Sequence, residues 1–322
     1  LIERQGGLYL YLRDVQGHLE ARLWAQLFDE LEQHLGMQRG SIRATVMIDS
    51  IAGALEADEI LFELMHHAAG LSMDPQGYAA DHISLFRGPD VPVFPDRETI
   101  GLNAPFLRAL GLHTIGICHR RGCHAIGAPS FVLPPREVGR VKADYLEMLA
   151  DKDRESTDGY DGTIVVHEDT VNPAMVEFNK NMARANQLFY QRNDGIKPVD
   201  LITRPEGSIT VESLVSTIRT VLRVLVYRWQ GNAWVVQGGR LHDRSSLRLA
   251  LRLLWQWNHA KQGIITATKL DIHEDLLRYL VRKEADKMFT DGDARTKGLA
   301  AQAVSLTLDL VFAPEVPLEP QA

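Results

Sequence analysis

Cysteine is almost absent from this chain: Cys118 and Cys123 are the only two in 322 residues. No disulfide scaffold can hold such a fold, and the usage suits a reducing compartment. Also missing is any apolar run of about 18 residues, the length that a membrane-spanning helix requires. The opening LIERQGG lacks the basic-then-apolar order of a secretory signal, and the closing LEPQA lacks a peroxisomal address of the Ser-Lys-Leu type. Positive charge is in deficit. With 35 Lys and Arg against 42 Asp and Glu, the formal net charge is −7, which argues against a nucleic-acid partner. Gly238-Gly239 precedes Arg240 without a further GxxG, so no dinucleotide fingerprint forms. A phosphate loop, a nucleophile elbow, internal repeats and low-complexity tracts are absent as well. The expectation from these absences is a soluble cytoplasmic protein with no membrane partner. The chain begins at Leu1 rather than Met and runs at once into an apolar strand, so a missing N-terminal part is also expected.

What is present has two textures. At 45% hydrophobic and 24% charged residues the composition is globular, and the length suits one large domain and a smaller one. Residues 1–198 alternate short apolar strands with helical stretches, the rhythm of βα units. Strands are expected at residues 8–12, 42–48, 113–118, 124–126 and 163–166. Helices are expected at residues 19–34, with Leu19, Leu23, Leu27 and Leu31 on the buried face, and at residues 55–68. Residues 88–96 hold three prolines and read as a loop, as do residues 156–162. From Asp200 the strands vanish. Residues 211–229, 247–258, 274–288 and 296–310 read as four amphipathic helices, the first capped by the Pro-Glu-Gly-Ser run at 205–208. The fold class expected is therefore α/β, a partial (β/α)8 barrel over 1–198 followed by an all-α domain over 199–322.

SIRATVMIDS at residues 41–50 carries the sharpest chemical signal. An apolar strand that ends in Asp49 just before a helix is how a βα barrel presents a carboxylate at its mouth. A solvated acid at a strand end is the plainer alternative. Cys118, His119, Cys123 and His124 match no tetrahedral zinc spacing and read as packing. His66-His67 reads as a helix-end surface pair, and Trp229, Trp234, Trp255 and Trp257 read as core of the helical domain.

Several segments carry a family resemblance. GLYLYLRDVQGHLEARLW, the strand-and-helix unit that begins RGSIRATVMIDS, CHRRGCHAIG (CHRRGAHAMGG in the family), DGYDGTIVVHEDTV, GNAWVV and LLWQW together resemble the shorter isoform of malate synthase over nearly the whole chain. The resemblance implies a transferase of the glyoxylate cycle that condenses acetyl-CoA with glyoxylate and water to give malate and CoA. It implies Mg²⁺ held by a Glu and an Asp, an Asp base from the helical domain, and an Arg that stabilises the enolate. On this sequence the base maps onto Asp243 in RLHDRSS, where the family's adjacent acid has become His242. The first metal ligand maps onto Asp49, in place of Glu. The second falls on Gly77, leaving Asp74 or Asp81 as a substitute. The enolate-stabilising Arg maps upstream of Leu8. Arg120 and Arg121 are the candidates for CoA phosphates or carboxylates. Two alternatives stay open: a catalytically degenerate homologue that only binds, and a related condensing enzyme whose larger oxo acid fits space opened by Gly77, Ala79 and Ala80.

Overall fold

A computed structural model describes residues 7–134 and 143–316. The chain divides into two compact units, one holding residues up to Tyr78 with Pro105–Thr203, the other Ala79–Ala104 with Arg204 onward.

The first unit is built on a parallel sheet whose four strands lie side by side in chain order: β1 (Leu8–Leu12), β2 (Ile42–Ile48), β3 (Ala68–Met73) and β4 (His124–Ala125). Leu8 pairs with Ile42, Val46 with Leu71 and Gly70 with His124. Isolated parallel bridges, Ile126 to Gly162 and Ser130 to Val165, carry the same curve one step further. Helices join the strands: α1 (His18–His34), α2 (Ile51–Leu55), α3 (Ala57–Glu63), α4 (Pro75–Leu85) and α5 (Pro105–Arg121). Two more, α6 (Ala143–Asp158) and α7 (Val171–Asn181), pack on each other after β4. This is the α/β, partial-barrel architecture read from the sequence. β2 is buried on both faces at Ile42, Ala44, Val46, Met47 and Ile48, as a central parallel strand requires.

Local readings change: the strand expected at 163–166 is reduced to an isolated bridge at Val165, the helix expected at 55–68 ends at Glu63, and three more differ. β3, AAGLSM, is a strand that the sequence does not announce, because its small residues carry little β-propensity. Its glycine is essential to the pairing: a β-carbon on Gly70 would lie 1.9 Å from the His124 carbonyl oxygen. Residues 113–118, expected as a strand from their apolar, β-branched character, are the body of α5. The leucine row of α1 does not face the core either. Leu19 and Leu23 are 63% and 66% exposed, whereas Ala21 and Phe28 are buried, so the packed stripe lies on another side of the helix.

The second unit contains the four expected helices, α8 (Val211–Trp229), α9 (Arg244–His259), α10 (Glu274–Phe289) and α11 (Ala294–Val311). It also contains two small antiparallel hairpins absent from the sequence expectation, β5 (Val235–Gln237) with β6 (Arg240–His242) and β7 (Ile264–Ile265) with β8 (Leu270–Asp271). Leu214, Ile218, Val221, Leu222 and Leu225 form the buried stripe of α8, at helical spacing. Its cap is Thr210, whose hydroxyl accepts from the Ser213 amide at 3.1 Å, rather than the run at 205–208.

The proline-rich loop at 88–96 belongs to this unit through specific bonds. The Trp257 indole donates to the Phe94 carbonyl at 2.8 Å, and the Phe94 amide donates to Gln256 Oε1 at 2.9 Å. Asp96 accepts from both the amide and the hydroxyl of Thr210. Trp257 and Trp255 are core, as expected; Trp234 is 63% exposed and is not.

Candidate active site

Neighbouring parallel strands deliver their C-terminal ends to one edge of the sheet, and here each of two neighbours ends in an aspartate. Asp49 follows β2 and Asp74 follows β3, and both are 2% exposed. The Asp74 amide still donates to the Ile48 carbonyl at 2.9 Å, so the ladder carries the two residues into register. Gly77, in the first turn of α4, sits between them. A β-carbon there would lie 2.9 Å from the Asp49 β-carbon and 3.1 Å from Asp74 Oδ2.

Gly77 therefore opens no space for a larger substrate, which corrects one reading of the sequence. Ala79 and Ala80 are fully buried in α4 as well. The glycine instead lets the end of β2 approach the start of α4 beside the Asp74 carboxylate.

Asp74 caps α4, its Oδ1 accepting from the amides of Gln76 at 3.1 Å and Gly77 at 3.0 Å. Its other oxygen takes the Arg13 guanidinium at 2.5 Å. Arg13 follows β1, so three consecutive strand ends contribute to this cluster. Asp14 next to it adopts a left-handed φ of 59° and turns its amide to Asp49 Oδ2 at 3.2 Å. Ser50 caps α2 through the Gly53 amide, which fixes the backbone beside Asp49. Arg13 is a site residue that the sequence reading misses. Its signal is the same one that exposes Asp49, a charged residue directly after an apolar strand.

Two buried carboxylates with oxygen donors suit a hard cation that keeps waters and binds through one or two protein ligands. Asp49 and Asp74 supply oxygen donors of the kind Mg²⁺ takes. The Arg13 pair sets the condition that Asp74 must share or exchange its cation.

Arg120 and Arg121 lie elsewhere, in the last turn of α5, where the chain enters a strand rather than leaves one. Both pair with Asp58, at 3.2 and 2.9 Å, and Arg121 lies over the Phe62 ring. A CoA phosphate would have to displace that pair. At the entering ends of β2 and β3, His67 is buried rather than on the surface as expected. Its ring stands between the Ile42 carbonyl at 3.1 Å and Asp29 at 3.2 Å. Asp29, Glu32 and His67 offer ligand atoms within 4.8 Å of one another. Each is already engaged, Asp29 by Arg39 and Glu32 by the amides of Gly40 and Ile42. The cluster ties α1 to the start of β2.

Two further buried polar groups fix the later part of the barrel. His119 donates through Nδ1 to the Tyr190 carbonyl (2.7 Å) and through Nε2 to Asp161 (3.1 Å), and Asp161 also accepts from the amides of Gln187 and Ala125. Burial raises the Asp161 carboxyl, but these hydrogen bonds outweigh it and hold the group below its ordinary value. Lys152, 1% exposed, donates to Glu155, to the Ala128 carbonyl at 2.8 Å and to Thr163 at 2.8 Å. An i, i+3 Lys-Glu pair on a helix normally lies in water, so nothing in the sequence marks this one as buried.

In the second unit Asp243 is the N-cap of α9. Its Oδ1 accepts from the Ser246 amide at 3.1 Å, and the Ser246 hydroxyl closes a capping box. His242 beside it is 5% exposed, and its Nδ1 has no hydrogen-bond partner among the described residues. Burial pushes this imidazole down to about 3, with the guanidinium groups of Arg97, Arg240 and Arg223 adding to the effect. The position thus carries a neutral ring where the resembled sequences carry an acid.

Residues 1–204 match the family model described as the TIM barrel domain of malate synthase. A malate synthase from Streptomyces clavuligerus is 34% identical over 291 residues, covering 88% of this chain and 53% of that protein. Malate synthase A of Escherichia coli K12 is 30% identical, covering 82% of this chain and 50% of that one. The solved ternary complex of Haloferax volcanii malate synthase with pyruvate and acetyl-CoA aligns over 91% of this chain and 68% of its own, at 14% identity and a TM-score of 0.48. The chain spans about half the length of these curated relatives. The breadth of the family-model match and of the sequence identity leads to one conclusion: this chain belongs to the malate synthase family.

Proposed function

We propose that this chain carries the condensing machinery of a malate synthase, joining the methyl carbon of acetyl-CoA to the aldehyde carbon of glyoxylate. The observation that carries the reading is the convergence of Asp49 and Asp74, both buried, at the exit ends of adjacent parallel strands. Asp49, with Asp74, would hold Mg²⁺, and the ion when bound supplies Lewis-acid polarisation of the oxo acid.

A thioester α-proton is very weakly acidic, so removing it requires a base held in a fixed geometry. Asp243 is our candidate, and its capping box supplies that fixity. Arg13 is held at the mouth by Asp74. It brings a positive charge beside the metal ligands and lowers the cost of burying two carboxylates. Hydrolysis of the resulting thioester would release CoA and drive the reaction forward. Among the described residues no helix is long and apolar enough to cross a membrane.

A second reading, a homologue that keeps the fold and binds without turnover, is favoured by one observation. The position of the second family ligand is Gly77, and the nearest replacement, Asp74, already holds Arg13.

One pair of measurements separates the two. Release of free CoA thiol is followed with acetyl-CoA and glyoxylate in excess Mg²⁺, and Mg²⁺ alone is titrated by calorimetry into the wild type and Asp49→Asn. Glyoxylate-dependent thiol release, with Mg²⁺ binding lost in the variant, supports the enzyme. Absence of both sinks it in favour of the binding protein.

A further inference from the structure

The only two cysteines of the chain meet at the end of α5, and the way that helix stops explains why. Gly122 has a left-handed φ of 71°. The Cys123 amide donates back to the Cys118 carbonyl at 3.0 Å, and the Gly122 amide to the His119 carbonyl at 3.1 Å. These are the paired bonds of a Schellman cap, a motif that brings together the side chain three positions before the helix cap and the one just beyond its glycine. That contact is ordinarily between two apolar groups. Here both positions are cysteine. The Cys123 thiol donates to the Cys118 carbonyl oxygen, 3.6 Å away, which places the two side chains side by side. A 3.0 Å backbone bond between the residues keeps their α-carbons inside the span of roughly 4.4–6.8 Å that a disulfide bridges. The segment that this chain resembles, CHRRGAHAMGG, has Ala where Cys123 stands, so the second thiol is not something the fold needs.

We propose that Cys118 and Cys123 form a reversible oxidation site, a dithiol that closes to an intrachain disulfide when the folded protein meets a peroxide. The exposures set the order of events: Cys123 is 8% exposed and Cys118 is fully buried, so the oxidant reaches Cys123 first. The neighbouring Cys118 thiol favours the Cys123 thiolate, while burial holds the Cys118 thiol protonated. The Cys123 thiolate attacks one peroxide oxygen, the O–O bond breaks, and the products are a sulfenic acid and hydroxide. The Cys118 sulfur then attacks the Cys123 sulfur, the S–O bond breaks, and the departing hydroxide leaves as water with the Cys118 proton. In sum two thiols lose two electrons and one peroxide becomes two waters. The bridge ties the end of α5 to the start of β4.

The test treats the folded chain with graded hydrogen peroxide, blocks remaining thiols under denaturing conditions, and reads intact mass and peptide maps. The expected product has lost two hydrogens, resists alkylation at both cysteines, yields a peptide cross-linked between 118 and 123, and reverts with dithiothreitol. Cys123→Ala, the residue of the resembled segment, should fold and leave Cys118 unoxidised. Cys118→Ala should leave a Cys123 sulfenic acid that dimedone traps. Should the wild type instead show Cys123 driven to sulfinic acid beside a free Cys118, or two thiols that stay free, the proposal is overturned.

Discussion

A β-carbon at position 77 would stand 2.9 Å from the β-carbon of Asp49, closer than real side chains approach. The glycine is there because two strand ends and a helix start share that volume. Gly77→Ala is therefore expected to destabilise the chain by about 1–3 kcal/mol, even though alanine in a helix is worth about 1 kcal/mol over glycine. Urea unfolding measures the balance. A stabilised Gly77→Ala variant would show that the close approach does not exist in solution.

Lys152 and Glu155 form a buried pair, and removing one member leaves the other charged and enclosed. Lys152→Met should cost about 3–5 kcal/mol, whereas the double change to Met and Leu should recover much of that loss. Thermal unfolding of the single and double variants reads the difference. Equal stability of all three would mean that the pair is solvated.

The His119–Asp161 pair gives stability a pH signature. The Asp161 carboxyl is held below its ordinary 3.8 when folded, so its contribution is present above that value and fades as pH falls through the folded value. For His119, burial lowers the imidazole, but the hydrogen bonds to Asp161 and the Tyr190 carbonyl outweigh it and raise it above 6.5. That contribution is complete below 6.5 and is lost as pH rises through the folded value. Between about 3.8 and 6.5 both contributions are in force. The stability gap between the wild type and Asp161→Asn should be widest in that window and narrow on either side; a gap independent of pH would contradict the assignment.

His242 slopes opposite to His119 and in the same sense as Asp161. Its folded value of about 3 lies below the ordinary 6.5, so the unfolded chain takes up the proton first and stability falls as pH drops through that interval. His242→Gln should flatten this part of the acid limb. The direct check is the imidazole titration by NMR, where a midpoint near 6.5 would refute the buried, cation-flanked environment.

How much of this is legible in the sequence? β1 and β2 are plain, because LYLYL and IRATVMI are apolar runs of strand length, and the helices of the second unit announce themselves by period. β3 is hidden because AAGLSM is chosen for close approach rather than propensity. Part of α5 reads as a strand because its buried faces are apolar all round, which erases the helical period. The leucines of α1 keep the period but face outward. Of the candidate site, Asp49 can be read from the strand–Asp–Ser pattern, and Asp74 is reached as a neighbour of Gly77. Their meeting, and Arg13 beside them, depend on strand order, which sequence spacing does not carry.

Asp243→Asn tests the central claim most directly. Asparagine caps a helix about as well as aspartate, so the variant keeps α9 intact while removing the proposed base. The account predicts an unfolding midpoint within a degree or two of wild type, roughly the effect of a few tenths of a kcal/mol. It also predicts glyoxylate-dependent thiol release lowered on the order of 10²–10⁴-fold. A variant that releases thiol at the wild-type rate would contradict it, for Asp243 would then be a cap and nothing more.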